Sequence, residues 1–313
     1  MSLKDDKPIL RFNEQLEKLN DLGIYVADNE IHEAKNILSN HNYFFKLLAY
    51  RKNYDKNEQK KYNISFLSIV DLAKLDMQLR YVLLPYCLDI EHSLKTYLMR
   101  LITNRKNKNG EYAENGYEIV KSVLADEDTP KDLKDQIFNG VKYRDSDGNL
   151  AFQEGFEKYY NEPPIWVVLD LASISKIKFF VNYLANKQPN NNNLKMIKNN
   201  IGYVSYIRNS CAHNKPILLN LQRKSIIKNS VYANARRIGI THDEITNLNV
   251  ARIFALFELH RIMCSEGMRS HRNKDFSNYL ERVNKTLELH EQNMHIKNFF
   301  NSLTKILDEF CVE

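Results

Sequence analysis

Apolar residues recur at three- and four-residue intervals along most of the chain, the spacing that places side chains on one face of a helix. Phe12, Leu16, Leu19 and Leu22 form the first stripe, and Gly23 follows as a helix terminator. Ile31, Ala34, Ile37 and Leu38 form the second, leading into NYFFKLLAY, which reads as an aromatic-rich core segment. After the polar loop YDKNEQKKYN, Ser65 stands where an N-cap belongs, and helical periodicity runs on to about Thr103. Pro85 lies inside that run and lacks an amide N–H, so the run is predicted as two successive helices or one bent helix. The stretch from Lys106 to Asn161 is more polar, with a turn signal in DSDGN at 145–149. Pro163 and Pro164 open a helix carrying Trp166, Val167, Leu169, Ile174 and Phe180, with Trp166 read as core. PNNNN at 189–193 is a short linker, and Leu194 to about Asn214 reads as the next helix, stopped by Pro216. Thr241 and Glu244 have the spacing of a capping box at the head of a helix whose core includes Ile253, Phe254, Phe257 and Ile262. Phe276 to Phe310 is amphipathic helix again.

Composition supports the same picture. The 313 residues include only 9 glycines and 7 prolines, too few for the turns of a β-rich fold of this length. At 43% apolar the chain can bury a core. An all-α fold in a single domain over 1–313 is expected, with no internal repeat and no clean boundary. No stretch reaches 18 uninterrupted apolar residues and MSLKDDKPIL has no apolar leader, so no membrane span and a cytoplasmic protein are expected. Cys87, Cys211, Cys264 and Cys311 form no CxxC pair and read as reduced, mostly buried thiols. The nine histidines include no HExxH or Cys/His cluster, so no metal site and no cofactor are indicated.

Charge changes the picture. Leu171 to His242 carries twelve Lys or Arg and no Asp or Glu, whereas the whole chain is only +6 (45 minus 39). One cationic segment in an otherwise acidic protein (33 minus 39 elsewhere, −6) suits a polyanion such as RNA; the bland alternative is a lysine-rich solvated face. Tyr206, Lys215, Arg223 and Lys224 are the RNA-binding candidates within it. Tyr203 and Tyr206 could stack on bases, or pack against the preceding helix.

The same segment contains YIRNSCAHNKP, with Arg208, Asn209 and His213 close together. RNA carries its own nucleophile, the ribose 2′-OH. An enzyme has to move a proton and hold the charge that builds on the phosphate oxygens. An imidazole with an unperturbed pKa near 6.5 suits the first task, and a guanidinium fork suits the second. Asn209 could orient the histidine or bind the phosphate. Five residues apart is about 140° around an ideal helix, so the pair converges only if the last turn loosens before Pro216. The competing reading is a helix C-terminus whose cations complement the dipole. A second R-x4-H, Arg237 to His242, reads as a chance match in a loop. Cys211 is badly placed to use His213 as its base, which sets cysteine hydrolase chemistry aside. Glu91 reads first as an i,i+4 partner of Lys95, and second as a carboxylate facing the motif. His92 and His260 read as surface or core histidines.

Four stretches in order carry a resemblance: KPILRFNEQLEKLNDLGI, LAKLDMQLRYVLLPYCLDIEHSLKTYL, EPPIWVVLDLASISKIKFF and YIRNSCAHN. Together they resemble the Abi-like family, the AbiD/AbiF type of bacterial abortive-infection proteins, which is similar to the HEPN superfamily. The resemblance implies a HEPN-like helical bundle, with a core over approximately 66–270 and additional N- and C-terminal helices. It implies a metal-independent endoribonuclease of a toxin-like phage-defence system, with the R-x4-6-H motif on Arg208 and His213, Asn209 at the polar position, and Glu91 a further candidate. It also implies a homodimer that joins two motifs, and allows a small non-coding RNA as partner. HNKP departs from the polar residues that often follow the motif in the family. The alternative is a non-catalytic RNA- or protein-binding module with a vestigial motif.

Overall fold

The computed structural model describes residues 9–41, 43–104, 116–153 and 155–311. Lys7 and Pro8 of the first resembling stretch, and residues 106–115 of the polar stretch, lie outside them. Helices α1 (Phe12–Asp21), α2 (Ile31–Asn40) and α3 (Phe44–Ala49) lead to the long α4 (Phe66–Thr103). Short helices α5 (Glu118–Leu124), α6 (Leu133–Phe138) and α7 (Glu157–Tyr160) follow, then α8 (Ile165–Leu171) and α9 (Ile174–Lys187). The motif-bearing α10 (Asn192–Ala212) comes next, followed by α11 (Asn229–Arg237) and α12 (His242–Ile245). The chain ends in α13 (Leu248–Met263), α14 (Glu266–Thr286) and α15 (Met294–Phe310). Strands are confined to two small ribbons among the described residues. β1 (Ile24–Tyr25) pairs in parallel with β2 (Ile64–Ser65), and β3 (Lys142–Arg144) pairs antiparallel with β4 (Leu150–Phe152). The protein is an all-α bundle.

Helix α4 is its axis. The Ser65 hydroxyl accepts a hydrogen bond from the Leu67 N–H (3.1 Å) and starts it. Leu79, Leu83, Ile90, Leu94 and Leu98 are wholly buried, each contributing about 1.5–3 kcal/mol of transfer free energy. Helices α10, α13 and α14 all pack on it, so α4 is apolar on several faces at once. Pro85 does not divide the run: one helix passes through it. Proline in a helix interior costs about 3 kcal/mol, and burial of the adjacent Leu83, Tyr86 and Cys87 outweighs that.

Elsewhere the structure departs from the periodicity. The helix expected after Pro163 and Pro164 is two helices, broken where Ala172 and Ser173 are extended. Trp166 is not core. Ile165, Val168 and Leu169 take the inner side of α8, leaving the indole 47% exposed and edge-on to Tyr117 at 5.6 Å. In NYFFKLLAY, Leu47 and Tyr50 are buried while Tyr43 and Phe45 face solvent. Thr241 and Glu244 make both capping-box bonds (3.2 and 2.7 Å), yet they close only the four-residue α12. Asn247 caps α13 separately through the N–H groups of Asn249 and Val250. DSDGN turns a β-hairpin, its Asp145 carboxylate accepting from the Asp147 and Asn149 N–H groups.

One buried polar knot ties α4 to the C-terminal helices. Asp89 accepts from Arg272 Nε (2.7 Å) and Nη2 (3.2 Å) and meets His260 Nε2 at 3.3 Å. Burial pushes the Asp89 carboxyl up, but hydrogen bonds from Arg272 and His260 outweigh it and hold it below the ordinary range. Burial holds the His260 imidazole below its ordinary value, against the pull of Asp89. The unfolded chain therefore takes up protons at both groups before the folded one does. Stability is full above the unfolded histidine's pKa of about 6.5, and it falls as pH drops through the folded values. Thermal melts from pH 7.5 down to 4.5 should show a decreasing Tm, and His260→Gln should flatten that profile, whereas Asp89→Asn, which removes the group that pulls the imidazole up, should not. Among the described residues, no helix is long and apolar enough to cross a membrane.

Candidate active site

Helix α10 is anchored before it reaches the motif. Asn191 caps its start by accepting from the Leu194 N–H (3.1 Å). Leu194, Ile197, Ile201, Val204 and Ile207 form its buried stripe against α9, α13 and α4. The buried Asn200 amide donates to Glu258 Oε2 of α13 (2.7 Å), which fixes the helix lengthwise. The helix ends at Ala212, with His213 as C-cap and Asn214 left-handed (φ +54°). Asn214 N–H donates to Cys211 C=O (3.3 Å) and Lys215 N–H to Ser210 C=O (2.8 Å). This pair of bonds is a Schellman motif, with asparagine where glycine is commonest. Pro216 lies just beyond it. The last turn is thus closed rather than loosened, and His213 (φ −101°, ψ 16°) does not swing round towards Arg208. The reason is that the Schellman bonds satisfy the end carbonyls that a loosened turn would leave open.

The face of α4 turned to this helix end is polar. Asp76, Arg80, Cys87 and Glu91 fall within about 60° of one another on an ideal helix. Arg80 is 3% exposed and ion-paired with Asp76. Its other terminal nitrogen donates to the Asn214 side-chain oxygen (2.8 Å). Asp76 also accepts from the Ile217 N–H (2.6 Å), the Leu218 N–H (2.7 Å) and the Tyr50 hydroxyl (2.8 Å). One buried carboxylate therefore holds the loop that leaves the motif, and through Arg80 and Asn214 it holds the residue next to His213. Asn53 and Asn249 secure the same loop at Leu218 C=O and Ile217 C=O (both 2.7 Å).

Arg208 reaches α4 at Glu91, Nε to Oε2 3.4 Å, while Lys95 lies 3.9 Å from the same carboxylate. Both readings of Glu91 hold, and the motif arginine is the nearer partner. Arg208 Nε and Glu91 Oε2 are out of solvent and neither makes a hydrogen bond, so the pair is Coulombic only. Arg208 Nη1 makes a long contact with the Asn209 side-chain oxygen (3.4 Å). Asn209 thus sits on the arginine, whereas His213 is exposed at the helix tip. Burial pushes the Cys211 thiol up to about 12, so no thiolate competes with the imidazole at neutral pH.

The cationic segment stays uncompensated in three dimensions. Of its twelve Lys and Arg, only Arg208 and Lys224 meet a carboxylate among the described residues. Lys224 is drawn away to Asp243 of α12, donating to its C=O (2.6 Å) and lying 3.4 Å from its carboxylate. Lys215 and Arg223 are exposed. Tyr206 packs against a later element rather than the preceding helix: the Arg252 guanidinium of α13 lies 3.2 Å from its ring centroid. Tyr206, Arg223 and Arg252 wall one hollow at this end of α10, of about 360 Å³. Arg252 escapes sequence reading because it lies ten residues beyond the carboxylate-free stretch, on an apolar helix. Tyr203 receives a hydrogen bond from the Lys228 N–H (3.3 Å). Among the described residues no group of three or more His, Cys, Asp or Glu could hold a metal ion.

Among curated proteins and among solved structures, none matches this chain. The sequence model of the Abi-like proteins matches residues 36–218, which runs from α2 through the motif to the loop held by Asp76. That is 183 of 313 residues (218 − 36 + 1), more than half the chain, and the protein belongs to the Abi-like family.

Proposed function

We propose that the protein is a metal-independent endoribonuclease of the HEPN type, acting in abortive-infection defence as its family's name suggests. The ribose 2′-oxygen attacks the adjacent phosphorus as the P–O5′ bond breaks. A base takes the 2′ proton and an acid returns one to the 5′-oxygen, leaving a 2′,3′-cyclic phosphate and a 5′-hydroxyl. His213 moves the proton, Arg208 stabilises the phosphate charge, and Asn209 steadies the guanidinium. The observation that carries this reading is an exposed imidazole at a helix tip, inside a cationic segment, whose next residue Asn214 is held by the buried Asp76–Arg80 pair.

Within one copy, Arg208 and His213 point about 140° apart on an ideal helix. The proposal therefore includes a homodimer in which two motifs face one another, and a small RNA is a further partner open to the same surface. The hold of Glu91 on Arg208 favours one competing reading, a non-catalytic RNA-binding module. Purified protein incubated with RNA in excess EDTA separates the two. The enzyme cleaves, and His213→Ala or Arg208→Ala stops it. The binding module shows steeply salt-dependent binding and no cleavage.

A further inference from the structure

The hollow beside Tyr206 is unlike an ordinary packing gap. No Asp or Glu lines it, although the chain holds 39 of them. Two guanidiniums, Arg223 and Arg252, enter it, and neither pairs with a carboxylate among the described residues. Arg252 is half-buried and held in place. Its Nη1 donates to Asn249 Oδ1 (2.8 Å), its guanidinium carbon lies 3.2 Å from the Tyr206 ring centroid, and Asn249 is itself fixed to Ile217 C=O (2.7 Å). Tyr206 remains 44% exposed, so the pair is still accessible from solvent. The far wall is the loop through Pro216 and Ile217, the loop held by Asp76.

Position on α10 links this hollow to the imidazole. Tyr206 and His213 are seven residues apart, so they share a side of the helix to within about 20° and are separated by roughly 10 Å along its axis. Arg208, in contrast, faces α4 and Glu91. A chain of nucleotides crossing His213 would next meet the Tyr206–Arg252 platform.

We propose that this hollow is a subsite for one unstacked nucleotide of single-stranded RNA, with the base on the Tyr206–Arg252 pair and the phosphate on Arg223. The inference deepens the ribonuclease reading by naming the substrate as unpaired RNA. An accessible aromatic ring binds any base that can leave its stack, which a duplex does not offer without melting. A planar guanidinium pinned by an amide is preorganised for such a partner, while Arg223 on an open loop contributes charge alone.

The test measures binding without cleavage. Fluorescence anisotropy follows a short labelled single-stranded RNA, and a duplex of the same sequence, on His213→Ala protein in EDTA. Tyr206→Ala should weaken single-strand binding about ten-fold and leave duplex binding nearly unchanged, while Tyr206→Phe retains it. Arg223→Ala, on an exposed loop where folding is not at stake, should weaken it several-fold and reduce the salt slope by about one. Single-strand affinity indifferent to both Tyr206→Ala and Arg223→Ala would overturn the subsite. So would equal losses on single strand and duplex. If these variants weaken binding but the wild-type protein never cleaves RNA, the subsite stands and the enzyme reading falls. If it cleaves while binding ignores the variants, only the subsite falls.

Discussion

Asp76→Ala is expected to lower the free energy of unfolding by about 3–5 kcal/mol, the cost of leaving a buried charge without its partner. The loss comes from one carboxylate with four donors. Arg80, 3% exposed, would keep its charge and lose its counter-ion. The Ile217 and Leu218 N–H groups and the Tyr50 hydroxyl would lose their acceptor. Each such orphaned buried donor costs about 1–3 kcal/mol before relaxation, so the sum is bounded by how far the loop can open to water. Asp76→Asn should cost less, because one amide oxygen can still accept from the loop. Replacing Asp76 and Arg80 together by apolar residues should cost less than the two single changes added. Urea unfolding measures all of these. A cost below about 1 kcal/mol for Asp76→Ala would mean that the hub is not what holds the motif's exit.

The second large effect is on chemistry rather than stability. His213→Ala should reduce RNA cleavage by about 10²- to 10⁴-fold, the usual contribution of a positioned acid or base. Its Tm should barely move, because the ring is exposed and surface changes of this kind stay within about 0.5 kcal/mol. Arg208→Lys should fail to restore what Arg208→Ala loses, since an ammonium cannot grip two phosphate oxygens in a plane. Single-turnover cleavage of a labelled RNA, read beside a thermal melt, separates this outcome from misfolding. Equal losses of activity and Tm would assign His213 a structural part instead.

What was legible from the chain follows the range of the forces involved. Ser65 and Thr241 are readable as caps because a cap bond spans two or three residues. Gly23 is readable as a terminator because its positive φ (+75°) is a property of one residue. The end of α10 is predictable to within two residues because Pro216 and Asn214 act locally. The hub is not readable in this way. Asp76 and Ile217 are 141 positions apart, and nothing in LDMQLR says which backbone it will hold. Trp166 misleads because size and apolarity argue for burial, while the inner side of a seven-residue helix was already filled by Ile165, Val168 and Leu169. Pro85 leaves two helices or one open in the sequence, and the burial along a 38-residue helix, large beside an intrinsic penalty of about 3 kcal/mol, decides for one. At the site, the residue types of Arg208 and His213 are readable, but the choice of Glu91 over solvent and the arrival of Arg252 beside Tyr206 are set by packing between helices.

The resembling stretches on α4 and α10 meet in three dimensions. Asp76, Arg80 and Glu91 on one helix meet Asn214, the loop after it and Arg208 on the other. The central measurement is the chemistry of the cut ends. RNA cleaved by the purified protein in EDTA should carry 2′,3′-cyclic phosphate and 5′-hydroxyl termini, and a single 2′-O-methyl at the cleaved position should block the cut. Cleavage that requires added metal and leaves 3′-hydroxyl and 5′-phosphate ends, or that persists in both His213→Ala and Arg208→Ala, would contradict the account.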